Sequence, residues 1–224
     1  MSFSARLSTA LLCVVWASEI VRIFQPVPWL AGLGAACLAT YMAMALGRAS
    51  AHIRAVFVLA QSRRPEARRA VVEAAQRGPE MVRIAAIREM GRFQGANVNA
   101  ELMQVYSTAG TPRVKRQIVS SLGGRADTSS LLRIARVETD ASVRNTAIVM
   151  LGRTGGREQL RTLYRHAPSE SRPAVLSAMF NARDDDGLIA IARTERDSRL
   201  RWRAREQLSM LATPKAVKFL AENP

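Results

Sequence analysis

A ten-residue sequence motif recurs five times along the 224-residue chain, and it restricts the possible fold more than any other feature. The copies are residues 82–91, 114–123, 143–152, 172–181 and 200–209, and in each a Leu-Gly-like position lies eight residues after the start. Read at residues 90, 122, 151, 180 and 208, the spacings are 32, 29, 29 and 28 residues. A period near 30 is typical of a solenoid. Solenoids normally provide binding surfaces, which makes a catalytic pocket a weaker expectation.

Each copy predicts a pair of helices, as the third copy illustrates. Asp127 is placed to cap a first helix with an apolar stripe that includes Leu131 and Ile134. Asp140 is placed to cap a second helix, and Gly152 is expected to end it. No window of the repeat region shows the sustained alternation of a strand. The sequence therefore predicts an all-α fold, an α-solenoid of about five helical pairs over residues 65–224.

Two copies carry a more specific pattern, Asp140-Ala-Ser-Val143-Arg144 and Asp197-Ser-Arg-Leu200-Arg201. At these residues the chain resembles the HEAT-repeat family, and the resemblance covers roughly residues 65–222. It implies that the Arg early in the second helix bonds the turn Asp of its own or a neighbouring repeat. The implied structural ladder consists of Asp140, Arg144, Asp197, Arg201, Arg83 and Lys115.

The remaining copies depart from this pattern. Pro79 and Thr111 stand where the Asp is expected, and the fourth copy has Ser169 and Pro173. At one equivalent position of the first helices, which we call a column, the side chains alternate in size: Tyr106, Ala135, Tyr164 and Ala192. This alternation indicates unequal packing in successive layers or a duplicated pair of repeats. We interpret these residues as core filling, and a base-stacking platform is the alternative.

The first fifty residues have a different composition. Residues 29–47 form a run of nineteen residues without a charge, which is long enough to cross a bilayer. Trp29 and Tyr41 lie toward its ends, where aromatic rings favour the interface. Gly32 and Gly34 suit close contacts between membrane helices. We therefore predict a membrane anchor over residues 1–48, followed by a linker helix over residues 49–64.

Residues 7–24 form a second apolar stretch, and three interpretations remain open. It is the first arm of a transmembrane hairpin that turns at Gln25-Pro26-Val27-Pro28, a signal peptide preceding a single span, or an interfacial helix. Basic flanks of membrane spans stay in the cytoplasm. The expected location is the inner (cytoplasmic) membrane, with the repeat domain facing the cytoplasm, because the span is followed by Arg48, Arg54, Arg63, Arg64, Arg68 and Arg69.

One patch of the last copy is a candidate protein-binding site. On a helix that starts at Leu200, Trp202 points roughly 200° away from the Leu200 side chain and from the apolar stripe. Its polar surroundings are Arg199, Arg201, Arg203 and Arg205. An exposed aromatic ring among arginines is typical of interface hot spots. The alternative is that Trp202 packs against the C-terminal helix as part of a cap. The predicted protein-binding residues are Trp202, Arg201, Arg205 and Arg199.

Residues that would support catalysis or metal binding are sparse. His52 and His166 have no second His or carboxylate at ligand spacing in the sequence. Cys13 and Cys37 lie in apolar runs, without a Cys-x-x-Cys motif. The acidic run at residues 184–186 precedes a predicted helix and is interpreted as a cap. The expectation is a protein that is not an enzyme and uses no cofactor or metal.

Two functions fit these features. The first is a membrane-anchored HEAT-like scaffold or adaptor, an accessory subunit that organises other proteins of a membrane complex and contacts the lipid bilayer. The second is a basic solenoid that binds nucleic acid, because the net charge is +15. The second function predicts binding that weakens steeply with salt.

Overall fold

The computed structural model describes residue 47 and residues 50–62 and 64–223. The chain divides into two compact units, Met1–His52 and Ile53–Pro224. The predicted anchor, with hairpin arms 7–24 and 29–47 and with Trp29, Tyr41, Gly32 and Gly34, lies outside the described residues except for Gly47. Among the described helices, none combines the length and the apolar character that crossing a membrane requires.

The described part of the second unit is all-helical and contains no strand, as the sequence predicts. Residues 53–61, within the predicted linker helix, are helical, and Val56 is buried in the repeat core. The helices that follow are α1 (Pro65–Arg77), α2 (Glu80–Met90), α3 (Val98–Ser107), α4 (Pro112–Gly124), α5 (Thr128–Val137), α6 (Ala141–Arg153), α7 (Arg157–His166), α8 (Arg172–Asn181), α9 (Asp185–Thr194), α10 (Ser198–Leu211) and α11 (Pro214–Glu222).

These helices stack in two layers. Each odd-numbered helix from α1 to α9 packs on the even-numbered helix that follows it. The second helices α2, α4, α6, α8 and α10 form one continuous row, because each contacts the next. The last helix, α11, packs on α9 and α10. This order of neighbour contacts is consistent with the predicted α-solenoid class.

The first layer is packed unequally. Direct contacts join α1 to α3, α5 to α7 and α9 to α11, whereas α3 and α5, and likewise α7 and α9, make no comparable contact. Tyr106 and Tyr164 occupy the wider interfaces, where their hydroxyl groups donate to Glu138 and Glu195. At the same column, Ala135 of α5 and Ala192 of α9 belong to helices that pack directly on the next helix of the layer, α7 and α11. The alternation in side-chain size thus coincides with alternating wide and narrow interfaces.

The capping residues predicted at two helix starts form the expected hydrogen bonds. The Asp127 carboxylate accepts from the Ser130 amide at 3.1 Å, and Asp140 caps α6 in the same way. The predicted end of α6 at Gly152 is wrong, because the helix runs to Arg153. Gly152 serves helix packing, since a Cβ at this position would lie 2.7 Å from the Ala178 carbonyl oxygen.

The fourth copy begins one residue earlier than its Leu-Gly-like pattern indicates. The residues buried at the first and at the Leu-like positions of the motif are Ser171 and Met179, whereas Phe180, the expected Leu-like residue, is only partly buried. Met179 continues the apolar stripe of Val175 and Leu176, which fixes the face that α8 turns to its neighbours. The corrected copy spans residues 171–180.

Candidate docking groove

The predicted ladder residues of the third and fifth copies bond within their own turns. The Arg144 Nη1 donates to the carbonyl oxygen of Glu138 at 3.1 Å, and Arg201 Nη1 donates to that of Glu195 at 2.8 Å. Asp140 and Asp197 instead accept from backbone amides at the starts of α6 and α10. The Arg and the Asp of each repeat therefore stabilise the same turn through separate backbone bonds, in place of the expected Arg–Asp pair.

The column of basic residues continues through the other copies. Arg83 Nε donates to the Ala75 carbonyl oxygen at 3.0 Å, and Lys115 Nζ lies 2.9 Å from Glu138 Oε2. Arg172 Nε donates to the Ala167 carbonyl oxygen at 3.3 Å, so it occupies this column in the fourth copy. Sequence reasoning missed Arg172 because the Leu-Gly-like pattern shifts that copy by one residue. All five basic residues have structural partners.

The candidate binding surface lies in the last repeat. A groove of about 790 Å³ runs between the start of α8 and the exposed face of α10. We call it the Trp202 groove, and the residues that line it include Pro173, Asp197, Arg199, Trp202, Arg203, Glu206, Gln207 and Met210. The stacking of α8 beside α10 creates the groove, so neither helix provides it alone.

Two large apolar side chains are exposed along the Trp202 groove. Trp202 is 64% exposed and Met210 is 58% exposed, whereas Leu200, Ala204 and Leu208 of the same helix are buried. Helix α11 packs on α10 and still leaves the indole accessible. The two residues are eight positions apart, about two helical turns, so they lie along one side of the helix. Apolar area of this kind favours a partner that removes it from water.

The structure brings only part of the predicted patch into the Trp202 groove. Trp202 and Arg199 line it, whereas Arg201 points into its own turn and Arg205 donates to the Asn223 carbonyl oxygen. Arg203 lines the groove and donates from Nη2 to Ser177 Oγ at 3.1 Å. The helical phase of α10 could have identified Arg203 and Met210, but the contribution of α8 depends on stacking.

A buried polar atom adds to this surface. Gln207 is only 4% exposed, and its Oε1 has no hydrogen-bond partner among the described residues. A buried acceptor without a donor costs about 1–3 kcal/mol. Since Gln207 lines the Trp202 groove, a ligand that offers an N–H or O–H group to this amide would recover part of that cost.

The other candidate residues have structural partners. Asp184 caps α9 and also bonds Arg161 through its carboxylate, with Arg161 Nε 2.9 Å from Asp184 Oδ2. His166 Nδ1 lies 2.9 Å from the Thr162 carbonyl oxygen. The described residues contain no group of His, Cys, Asp and Glu side chains that could hold a metal ion.

A scan against protein-family models gives no match for this chain, and a search of curated proteins gives no significant match.

Proposed function

We propose that this chain is a helical-repeat scaffold that holds a partner protein in the Trp202 groove. The observation that carries the proposal is the exposure of Trp202 and Met210 in a groove framed by Arg199 and Arg203. Trp and Arg are the residue types enriched at energetic hot spots of interfaces. The fitting partner segment is apolar, because it would cover the indole. Polar groups at its edges would face two guanidinium groups and the carboxylates of Asp197 and Glu206.

The wider proposal places this scaffold in the HEAT-repeat family and at the inner membrane. Five stacked helical pairs, with the Asp-containing turns at Asp140 and Asp197, support the family assignment, and the uncharged run at residues 29–47 supports the anchor. With the basic flank after the span, the repeats face the cytoplasm. There the protein acts as a non-enzymatic accessory subunit that organises a larger membrane complex.

The nucleic-acid alternative is less well supported by the contacts. The arginines of the repeat column donate to turn carbonyls, so they are not aligned as a stripe for phosphate groups. A titration of the full-length protein with duplex DNA at increasing salt tests this alternative. Tight binding that falls steeply with salt would favour it over the scaffold.

Photo-crosslinking tests the proposed function directly. The full-length protein carries a photoreactive amino acid at Met210 or, as the matched control, at Val137, which is 71% exposed at the end of α5. We expect a defined crosslinked partner from position 210 and none from position 137 after extraction in mild detergent. Trp202→Ala should reduce that crosslink at least about tenfold, as hot-spot truncation does, while circular dichroism remains unchanged.

Either of two results would contradict the proposal. One is equal crosslinking from positions 210 and 137, which would indicate nonspecific contact. The other is a crosslink from position 210 that Trp202→Ala leaves intact while the variant remains folded.

A further inference from the structure

A second groove lies in the first layer, at the wide interface between α7 and α9. Its volume is about 480 Å³, and it is distinct from the Trp202 groove. We call it the α7–α9 groove, and the residues that define it are Arg161, Arg165, Arg172, Ala190, Ile191 and Arg196. Tyr164 keeps this interface open by extending from α7 to Glu195, to which its hydroxyl group donates at 2.6 Å.

The floor of the α7–α9 groove is apolar. Ile191 and Met179 are buried there, and Gly187 and Ala190 add little side-chain volume above them. Gly187 leaves no room for a side chain, because a Cβ at this position would clash with the Oδ2 of the buried Asp184. From Gly187 to Thr194 the helix rises by roughly 10 Å. The floor therefore suits a slender apolar body of about that length.

The charges around the floor are unbalanced. Four guanidinium groups line the α7–α9 groove against two carboxylates, those of Asp186 and Glu195. Both carboxylates are already paired, Asp186 with Lys215 and Glu195 with Arg172. Arg165 and Arg196 have exposed side chains, and the described residues give neither a carboxylate partner. The groove thus carries excess positive charge.

That excess charge lies at one end of the groove. Arg165 is in the last turn of α7, and Arg196 directly follows the C-cap of α9. Asp186 lies at the start of α9, at the other end of the floor. Glu195, the C-cap of α9, also lies at this end, but its carboxylate is held by Tyr164 and Arg172, so the unpaired charges there are the two guanidinium groups. An anionic group is therefore favoured beside Arg165 and Arg196 and disfavoured beside Asp186.

We infer that the α7–α9 groove binds a medium-chain amphipathic carboxylate, with its apolar chain on Ile191 and its carboxylate between Arg165 and Arg196. The volume lies within the range of small-molecule sites, roughly 300–1,000 Å³. Guanidinium groups bind carboxylates through charge-assisted hydrogen bonds. This site is independent of the Trp202 groove and of the proposed scaffold function.

Photoaffinity labelling tests the inference on the full-length protein. The probe is decanoate that carries a diazirine, and peptide mapping by mass spectrometry locates the label. We expect labelling of α7 and α9 that unlabelled decanoate suppresses, and none there from the corresponding diazirine-bearing decanol. Because the readout is the labelled peptide, probe dissolved in detergent does not contribute to it.

Two variants and one control decide the outcome. The double variant Arg165→Ala and Arg196→Ala should lower labelling of α9 about tenfold or more, by loss of charge-assisted bonds. Ala190→Trp should abolish it by filling the floor while retaining both charges. Arg136→Ala, the equivalent position on α5, should leave it unchanged. Equal labelling by decanol, or labelling that survives both groove variants in folded protein, would overturn the inference.

Discussion

At the scale of single residues, Glu138 and Glu195 each join three segments of the chain. Glu138 accepts hydrogen bonds from Tyr106 of α3, from Lys115 of α4 and, at 3.0 Å, from the Asp140 amide of its own turn. Burial alone would raise the pKa of the Glu138 carboxyl, but these hydrogen bonds lower it from 4.5 to about 2. The carboxylate therefore stays ionised, although it is nearly inaccessible to solvent.

The lowered pKa of Glu138 predicts a stability change in acid. A carboxyl whose pKa is lower in the folded state stabilises the fold fully above its unfolded value of 4.5. Its contribution is lost as the pH falls from there toward about 2. Glu138→Gln should therefore lower the free energy of unfolding near neutral pH and reduce its dependence on pH below 4.5. Urea denaturation between pH 7 and pH 2.5 measures both effects.

Glu158→Gln provides the control for this prediction, because Glu158 is an exposed residue in the first turn of α7. Its pH profile should match that of the original protein. An unaltered profile in Glu138→Gln would show that the carboxylate does not stabilise the fold.

At the scale of helices, two glycines set how closely the second helices approach. A Cβ at Gly123 would meet the Met150 side chain, with its Sδ at 2.6 Å, whereas a Cβ at Gly152 would meet the Ala178 backbone. A flexible thioether chain can move aside, but the backbone of a packed helix moves only with its neighbours. The same substitution thus has different consequences at equivalent positions.

We expect Gly152→Ala to destabilise the repeat unit by about 1–3 kcal/mol, which is typical of an overpacked core. Gly123→Ala should change stability by less than about 1 kcal/mol, because the gain in helix propensity offsets the movement of Met150. Thermal and urea denaturation of the two variants make the comparison. Equal destabilisation would contradict this account of the α6–α8 contact.

The helices and their caps were predictable from sequence, because capping residues and apolar stripes act over a few neighbouring positions. Gly152 was misassigned as a helix end, since its role depends on Ala178 in the next repeat. The sequence also predicts the register of α8 one residue too late, because only burial in the folded protein distinguishes Met179 from Phe180. In the candidate site, helical phase identifies Trp202, whereas Pro173 enters the Trp202 groove only through the stacking of α8 on α10.

At the scale of the whole repeat unit, α11 covers the last pair of helices. Phe219 of α11 is 4% exposed, and the Arg193 guanidinium lies 5.2 Å from the centroid of its ring. Thr213 donates a hydrogen bond to Asp185 at 2.7 Å, which ties the start of α11 to α9. Terminal elements of a solenoid have only one neighbouring repeat, so their stability depends on such covering contacts.

Phe219→Ala should therefore destabilise the C-terminal end selectively, with a loss of about 3 kcal/mol. Hydrogen exchange followed by mass spectrometry should show faster exchange in α9, α10 and α11 and unchanged exchange in α1 and α2. Val217→Ala is the control, because Val217 is 55% exposed on the same helix. Uniformly faster exchange in every helix would mean that the unit unfolds as one cooperative body.

The alternating wide and narrow interfaces define a larger building block than one helical pair. Lys115 and Arg172 are equivalent and 57 residues apart, as are Glu138 and Glu195. An engineered chain with a second copy of residues 115–171 inserted after residue 171 would regenerate each tyrosine–glutamate bridge and each close alanine contact. The array can thus be extended in steps of two repeats, whereas adding a single repeat would place mismatched faces together.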